Sequence, residues 1–372
     1  MLKLINIEKE KFNSFIKDKA KTYHYKQSIP YAELINAQKK YNPHYLGLVT
    51  ESNSIIAVTL LLEKKINNSF NSFYIPKGII ADYNKKEQIE EMLTKIKEYV
   101  KKHNGIFLKT DPEITDKELI IYTNNKFKKD KKEIDNKSFE LIIPNDIDKS
   151  LNKDTKNKID KANNYHIDIE IIEKSDDLNL YNRDLFEKFN KNKISNASLL
   201  TANINFTKTI NKLEKKLKTV NNQISILPID NLSKSASTKL NKLLIEKEDI
   251  KKEISKFKKL RDTNQQTKVI AKIFIIEYAH TAYVISKNKD TIAIDTDADT
   301  YLYYQMIKYI KNDKCTKLVD YTNTRGFNLE EKEYVGNLIY ICNHILYFFL
   351  VYCYKKFKEV KHAISRNKWK RV

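Results

Sequence analysis

The sequence predicts an α+β protein of two similar units, with a long antiparallel pair of helices inserted in the second. Three observations carry that prediction. Residues 45–114 read as strands, a helix and a strand, residues 269–321 repeat that order, and between them residues 205–263 hold apolar side chains at alternating steps of three and four. A chain of 372 residues has room for about two domains of ordinary size.

In the first unit, "YLGLVTESNSIIAVTLLL" (45–62) gives two apolar strands around the polar turn 51–54, a hairpin. "SFYIPKGIIADY" adds a strand and a loop that holds Gly78, one of only 5 glycines. Two readings of that loop stand side by side. Pro76 presets a type II turn whose second central residue is Lys77, or Gly78 admits a substrate to the backbone beside the charge of Lys77. The helix over 84–104 puts Ile89, Leu93, Ile96 and Val100 on one face, and Gly105 follows as its stop. "IFLKTDPEI" is a buried strand ended by Asp111 and Pro112.

A strand over 136–144 ends at Pro144, which begins the crossing, so the domains are placed at 1–145 and 146–332. Residues 151–163 form a basic helix with Lys153, Lys156, Lys158 and Lys161 within about three turns. Residues 166–172 are a strand, and "LYNRDLFEKFNKN" is a helix with Leu180, Leu185 and Phe189 turned inward. Next, Ile210, Leu213, Leu217, Val220, Ile224 and Leu227 form one heptad seam up to Pro228. Ala236, Leu240, Leu243, Lys247, Ile250, Ile254 and Phe257 form another, with Lys247 its one polar member. Two helices of similar length can bury such seams only against each other, which makes 205–263 a coiled-coil arm. Beyond it come two strands around 279–281, then a helix and a strand to Thr322.

Charge narrows the function. Lys and Arg number 69 against 48 Asp and Glu, a net +21, which calls for a polyanionic partner. A Lys- and Asn-rich composition would supply part of that excess unaided, but on the arm the basic residues number fifteen against seven acidic. Lys215, Lys216, Lys251, Lys252, Lys258 and Lys259 are the candidates for an RNA backbone. Three cysteines without paired spacing and no export signal fit the cytoplasm. The seven histidines form no metal-binding pair, and no metal is expected. The glycines lie too far apart to cradle a pyrophosphate, so neither free CoA nor ATP is expected as donor, and no cofactor. Catalysis would then rest on positioning and charge stabilisation. The apolar run 338–354, followed by Lys355, Lys356 and Lys358, is short for a span. It reads as a strand entering a docked helix, or as an interfacial helix at an anionic membrane.

"FYIPKGIIADYNKKEQIEEMLTKIKEYVKKHNGIFLKTDPEI" (73–114) resembles the signature region of the Fem family, aminoacyl-tRNA-dependent transferases that build peptidoglycan interpeptide bridges. "YKQSIPYAEL" (25–34), "TKNKIDKA" (155–162), the coiled-coil insertion, "YLYYQMIKYIKNDKCTKLVDY" (301–321) and "EYVGNLIYI" (333–341) are similar too. The resemblance implies two acetyltransferase-like (GNAT-like) domains without CoA, the first on the acceptor side and completed by 333–372. It implies aminoacyl-tRNA and a lipid-linked muropeptide as partners, at the inner face of the plasma membrane, with membrane contact through 338–358. Tyr74, Lys77 and Gly78 would line the acceptor cleft, and Lys156 and Lys158 of the basic helix would meet its phosphates. The family's "FKKGF" segment is contracted here to "TNTRGFN" (322–328), which leaves Arg325 to steady the oxyanion. A family member that binds without catalysing, as partner or regulator of an active transferase, is the second reading, and an RNA-binding protein the third. An oligomer with itself or with other family members stays open.

Overall fold

The computed structural model describes residues 2–20, 23–130, 137–172, 178–191, 195–227, 234–263, 266–313, 315–322, 326–354 and 356. The chain opens with β1 (Lys3–Asn6), α1 (Lys9–Asp18), a 3-10 turn (Tyr25–Gln27) and α2 (Ile29–Lys39). A meander follows of β2 (Asn42–Val49), β3 (Ile55–Lys65) and β4 (Asn71–Ile75), then α3 (Lys86–Lys102), β5 (Gly105–Thr110), α4 (Asp116–Asn124) and β6 (Lys128–Lys129). Next come β7 (Lys137–Ile142), α5 (Ile147–Ser150), α6 (Lys153–Ala162), β8 (Ile167–Ile172), α7 (Leu180–Asn190) and β9 (Ser195–Asn205). The arm is α8 (Phe206–Ser225) and α9 (Lys234–Thr263). β10 (Thr267–Tyr278), β11 (Thr281–Lys289), α10 (Thr291–Thr296), α11 (Ala298–Asn312), β12 (Lys317–Asp320), β13 (Glu330–Glu333) and β14 (Leu338–Ile341) complete the order.

Two compact units result: one of Met1–Lys137, Glu187–Ser195 and Lys332–Val372, the other of Ser138–Phe186 and Asn196–Glu331. Their sheets run β1-β2-β3-β4-β5-β14-β6 and β13-β7-β12-β11-β10-β9-β8. Among the described strand pairings, each sheet is antiparallel except for one central parallel pair, β4 with β5 and β11 with β12. A parallel pair needs a crossover, and α3 in one unit and α10 with α11 in the other supply it. The two units therefore repeat one topology.

Packing in the first unit follows the sequence pattern closely. Ile89, Leu93, Ile96 and Val100 of α3 are buried against Phe73 and Leu108 of the sheet. The stop of α3 differs from expectation: Asn104 takes the left-handed conformation, at φ 54, and Gly105 opens β5. A Cβ on Gly105 would lie 2.3 Å from Val100 Cγ1, so the glycine is there for close packing on the helix it follows.

In α7, Leu185 and Phe189 are buried as expected, but Leu180 is 78% exposed. At about 100° per residue, a position nine before Phe189 lies on the opposite side of the helix. The arm also departs from equal helices, with 20 residues in α8 and 30 in α9. Ile210, Leu213 and Val220 meet Leu243, Ile250, Ile254 and Phe257 in one core with the second sheet. At the arm's base the Tyr165 hydroxyl donates to Glu253 at 2.6 Å, and Lys212 Nζ donates to the Tyr165 carbonyl at 3.0 Å. The turn between the two helices, at 228–231, lies outside the described residues.

Candidate functional site

In the first unit, the parallel register sets Ile75 of β4 level with Thr110 of β5. The residues that follow each strand therefore face one another. Asp111 Oδ1 accepts from the Tyr74 hydroxyl at 2.7 Å and from the Lys77 backbone N–H at 2.8 Å. Lys77 Nζ lies 3.6 Å from Asp111 Oδ2 and 3.3 Å from Glu113 Oε1, and His24 Nε2 stands 3.7 Å from that same Glu113 oxygen. Lys77 at φ 59 and Gly78 at φ 84 are both left-handed. The bond to Asp111 is what holds a lysine in a conformation that costs about 1 kcal/mol or more. A Cβ on Gly78 would lie 2.9 Å from Pro112 Cβ, so its bareness serves the turn itself.

Gln27 fixes this turn from behind. It is buried, its Nε2 donates to the Pro76 carbonyl and, at 2.8 Å, to that of Gly78, and its Oε1 accepts from the Leu60 N–H at 2.6 Å. Burial, and then the charge of Lys77, hold the Lys26 ammonium below the usual lysine range, against the pull of Asp111 and Glu113. Burial and then Asp111 keep the Tyr74 hydroxyl protonated far above its ordinary range, so it acts as a donor. The cluster thus presents two amines and a hydroxyl around two carboxylates, a set suited to holding a charged or amide-rich ligand.

The second unit carries a cavity of about 710 Å³. Its origin is in the sheet: β12 ends at Asp320, paired with Val284, while β11 runs on to Lys289 without that neighbour. Ile285 is an extra residue in the register of β11 on β10, a bulge that bends the strand at the same place. Lys158, Lys272, Lys287 and Lys289 line the cavity together with Asp299 and Tyr303. Below it Asp320, fully buried, accepts from Tyr303 at 3.0 Å, from Lys287 at 3.4 Å and from the Thr322 N–H at 2.6 Å. Burial lowers the Lys287 pKa, and Asp320 opposes it. The Asp154 carboxylate, at 2.7 Å, raises that of Lys158.

The remaining expected residues fall in several places. Lys156 and Lys158 lie on α6, whose first turn is tied to the loop after β12 because Asn152 donates to the Gly326 carbonyl at 3.1 Å. Arg325 lies outside the described residues. On the arm, Lys216 pairs with Glu246 at 3.0 Å, Lys258 with Glu214 at 3.1 Å, Lys251 with Glu248 at 2.8 Å and Lys252 with Asp249 at 3.9 Å. Four of the six arm lysines therefore spend part of their charge within the arm, whereas Lys215 and Lys259 are exposed. Among the described residues no cluster of His, Cys, Asp and Glu is disposed to hold a metal ion.

Comparison with known proteins bears on the first cluster most directly. Residues 7–138, which contain every member of it, match the FemAB family model. Aminoacyltransferase FemA of Staphylococcus aureus, in strains MW2 and COL among others, is 30% identical over 111 residues, 30% of this chain and 26% of FemA. Residues 7–138 thus resemble the FemAB family. The chain spans about a quarter of the length of the curated FemA relatives it matches. Over nearly the whole chain the fold is that of FemX, whose crystal structure superposes with a TM-score of 0.70 at 16% identity, covering 93% of this chain and 99% of FemX. The expected fold class, two mixed α/β units with an inserted helical arm, is thereby met.

Sequence reasoning missed Gln27, Asp320, Tyr303 and three of the cavity lysines, Lys272, Lys287 and Lys289, while naming the fourth, Lys158. Gln27 stands within the stretch 25–34 that resembles the Fem family, but nothing in periodicity marks a glutamine that bonds to residues 49 and 51 positions away. A signal did exist for the cavity: Lys287 and Lys289 alternate on one face of a strand, and a carboxylate closes the apolar run of β12.

Proposed function

We propose that this protein transfers an amino acid from aminoacyl-tRNA to an amine on the stem peptide of a lipid-linked peptidoglycan precursor, forming part of an interpeptide bridge at the inner face of the plasma membrane. The observation that carries the reading is that the Tyr74, Lys77, Asp111 and Glu113 cluster lies wholly inside the stretch matched to the FemAB family. In this reading residues 1–145, with 333–372, are the acceptor-side domain, and 146–332 the second domain with the arm 205–263. Tyr74 and Lys77, on the turn shaped by Gly78, hold the acceptor, and Lys156 and Lys158 meet its phosphates. Lys272, Lys287 and Lys289 of the cavity add cations suited to the end of a tRNA strand, and Lys215, Lys216, Lys251, Lys252, Lys258 and Lys259 follow its backbone.

The acceptor amine attacks the ester carbonyl, a carboxylate of the acceptor takes the amine's proton, and the C–O bond breaks as that proton passes to the departing ribose oxygen, which leaves as the tRNA hydroxyl. Arg325 donates to the tetrahedral oxyanion, a role whose loss costs about 10²- to 10³-fold in rate. The test supplies total tRNA charged with labelled amino acids together with the lipid-linked muropeptide. Label passes into lipid from a particular charged tRNA, and Arg325→Ala slows it while tRNA binding persists. Binding of tRNA with no transfer from any charged species would leave a binding protein in place of an enzyme.

A further inference from the structure

After β14 the chain forms a helical segment, 344–354, started by Asn343, whose Oδ1 accepts from the Leu346 N–H at 3.1 Å. Lys, Arg, Asp and Glu are absent from those residues. The inner side rests on the first unit: the Tyr347 ring lies 5.6 Å from that of Phe107, and Leu346, Leu350 and Val351 are half-buried. The outer side is equally apolar and is covered by no described residue, with Ile345 84%, Phe348 60%, Phe349 61% and Tyr352 59% exposed. Steps of three and four place these residues on one stripe. A helix resting on a protein surface in water ordinarily turns polar groups outward. A contiguous aromatic stripe in their place marks a contact surface.

We infer that this stripe seats in the headgroup region of an anionic lipid bilayer. Charge argues for that occupant: the sequence from Lys355 to Arg371 holds eight Lys and Arg against the single Glu359. An apolar stripe followed at once by dense positive charge complements a surface that is apolar just beneath a layer of negative headgroups. A second copy of the chain would also cover the stripe, but it would bring two such basic segments together, and their repulsion opposes it. Length sets the orientation. Eleven residues at about 1.5 Å each span roughly 16 Å, half of a hydrocarbon core. Among the described residues no helix is long and apolar enough to cross a membrane. The segment therefore lies along the interface.

The test mixes the full chain with vesicles of phosphatidylcholine, alone or with phosphatidylglycerol, and sediments them. The wild type partitions onto the mixed vesicles at least about tenfold better than onto phosphatidylcholine alone. Phe348→Ser with Phe349→Ser, both exposed and so neutral to folding, keeps the wild-type melting temperature and loses at least about tenfold of the partitioning. Wild-type protein left in the supernatant, or a variant that binds equally well, overturns the inference. So does a vesicle-free dimer that the double variant abolishes, since the occupant would then be a second copy. No tRNA or muropeptide enters the assay, so its outcome and that of the transfer assay are independent.

Discussion

Glu277 shows how one residue carries a pH dependence. It is buried beneath Asn196 and Cys315, whose side chains donate to its oxygens at 3.4 and 3.6 Å. Burial, and then Asp313, push its carboxyl up to about 7 from 4.5. The folded chain holds that proton more tightly than the unfolded one, so stability is greatest at low pH and falls as pH rises from about 4.5 through 7. Above that window the buried charge costs on the order of 3 kcal/mol. Glu277→Gln keeps the shape and removes the charge. Thermal melts should show its advantage over the wild type growing from near zero at about pH 4 to several degrees at about pH 8, whereas a constant offset would assign the effect to packing. Neither the burial of this residue nor that of Gln27 was legible in the sequence, because burial of a polar group is decided by which elements stack, and a single chain shows only spacing. Lys77 and Gly78 were legible for a local reason: Pro76 and a rare glycine announce a turn wherever they stand.

At the scale of elements, spacing told most of the story. The α3 face and both arm seams follow directly from steps of three and four. The error at Leu180 came from accepting a five-residue step as part of a helical face. Charge was less legible than hydrophobicity: a sum over the arm counts every lysine, but side chains on adjacent turns and on the facing helix neutralise Lys216, Lys251, Lys252 and Lys258 in part. Exposed pairs of this kind contribute little to stability, roughly 0 to 1 kcal/mol. Lys215 and Lys259 are thus the stronger test of RNA contact. Charge reversal at both should weaken tRNA binding in a gel shift and reduce the slope of log affinity on log salt by about two. An unchanged slope would move the tRNA contact off the arm.

Across the whole molecule, one topology is used twice and each copy is opened at a different point. In the first sheet the parallel pair ends level and a strained turn closes over Asp111; in the second the pair ends unevenly and a lysine-lined cavity results. The repetition was legible as a repeated order of strands and helix. The unequal endings were not, since they depend on where β12 stops and where β11 bulges. The proposed transfer assigns the first opening to the acceptor. Asp111 is its positioning residue, because it fixes both the Tyr74 hydroxyl and the Lys77 backbone. The most direct measurement is the steady-state rate of transfer for Asp111→Asn against the wild type, with the muropeptide varied and charged tRNA saturating. Hydrogen bonds to a charged group contribute roughly 1.5 to 3 kcal/mol, so the acceptor KM should rise at least about tenfold while tRNA affinity stays at the wild-type value. A KM equal to that of the wild type would contradict the account and place the acceptor elsewhere.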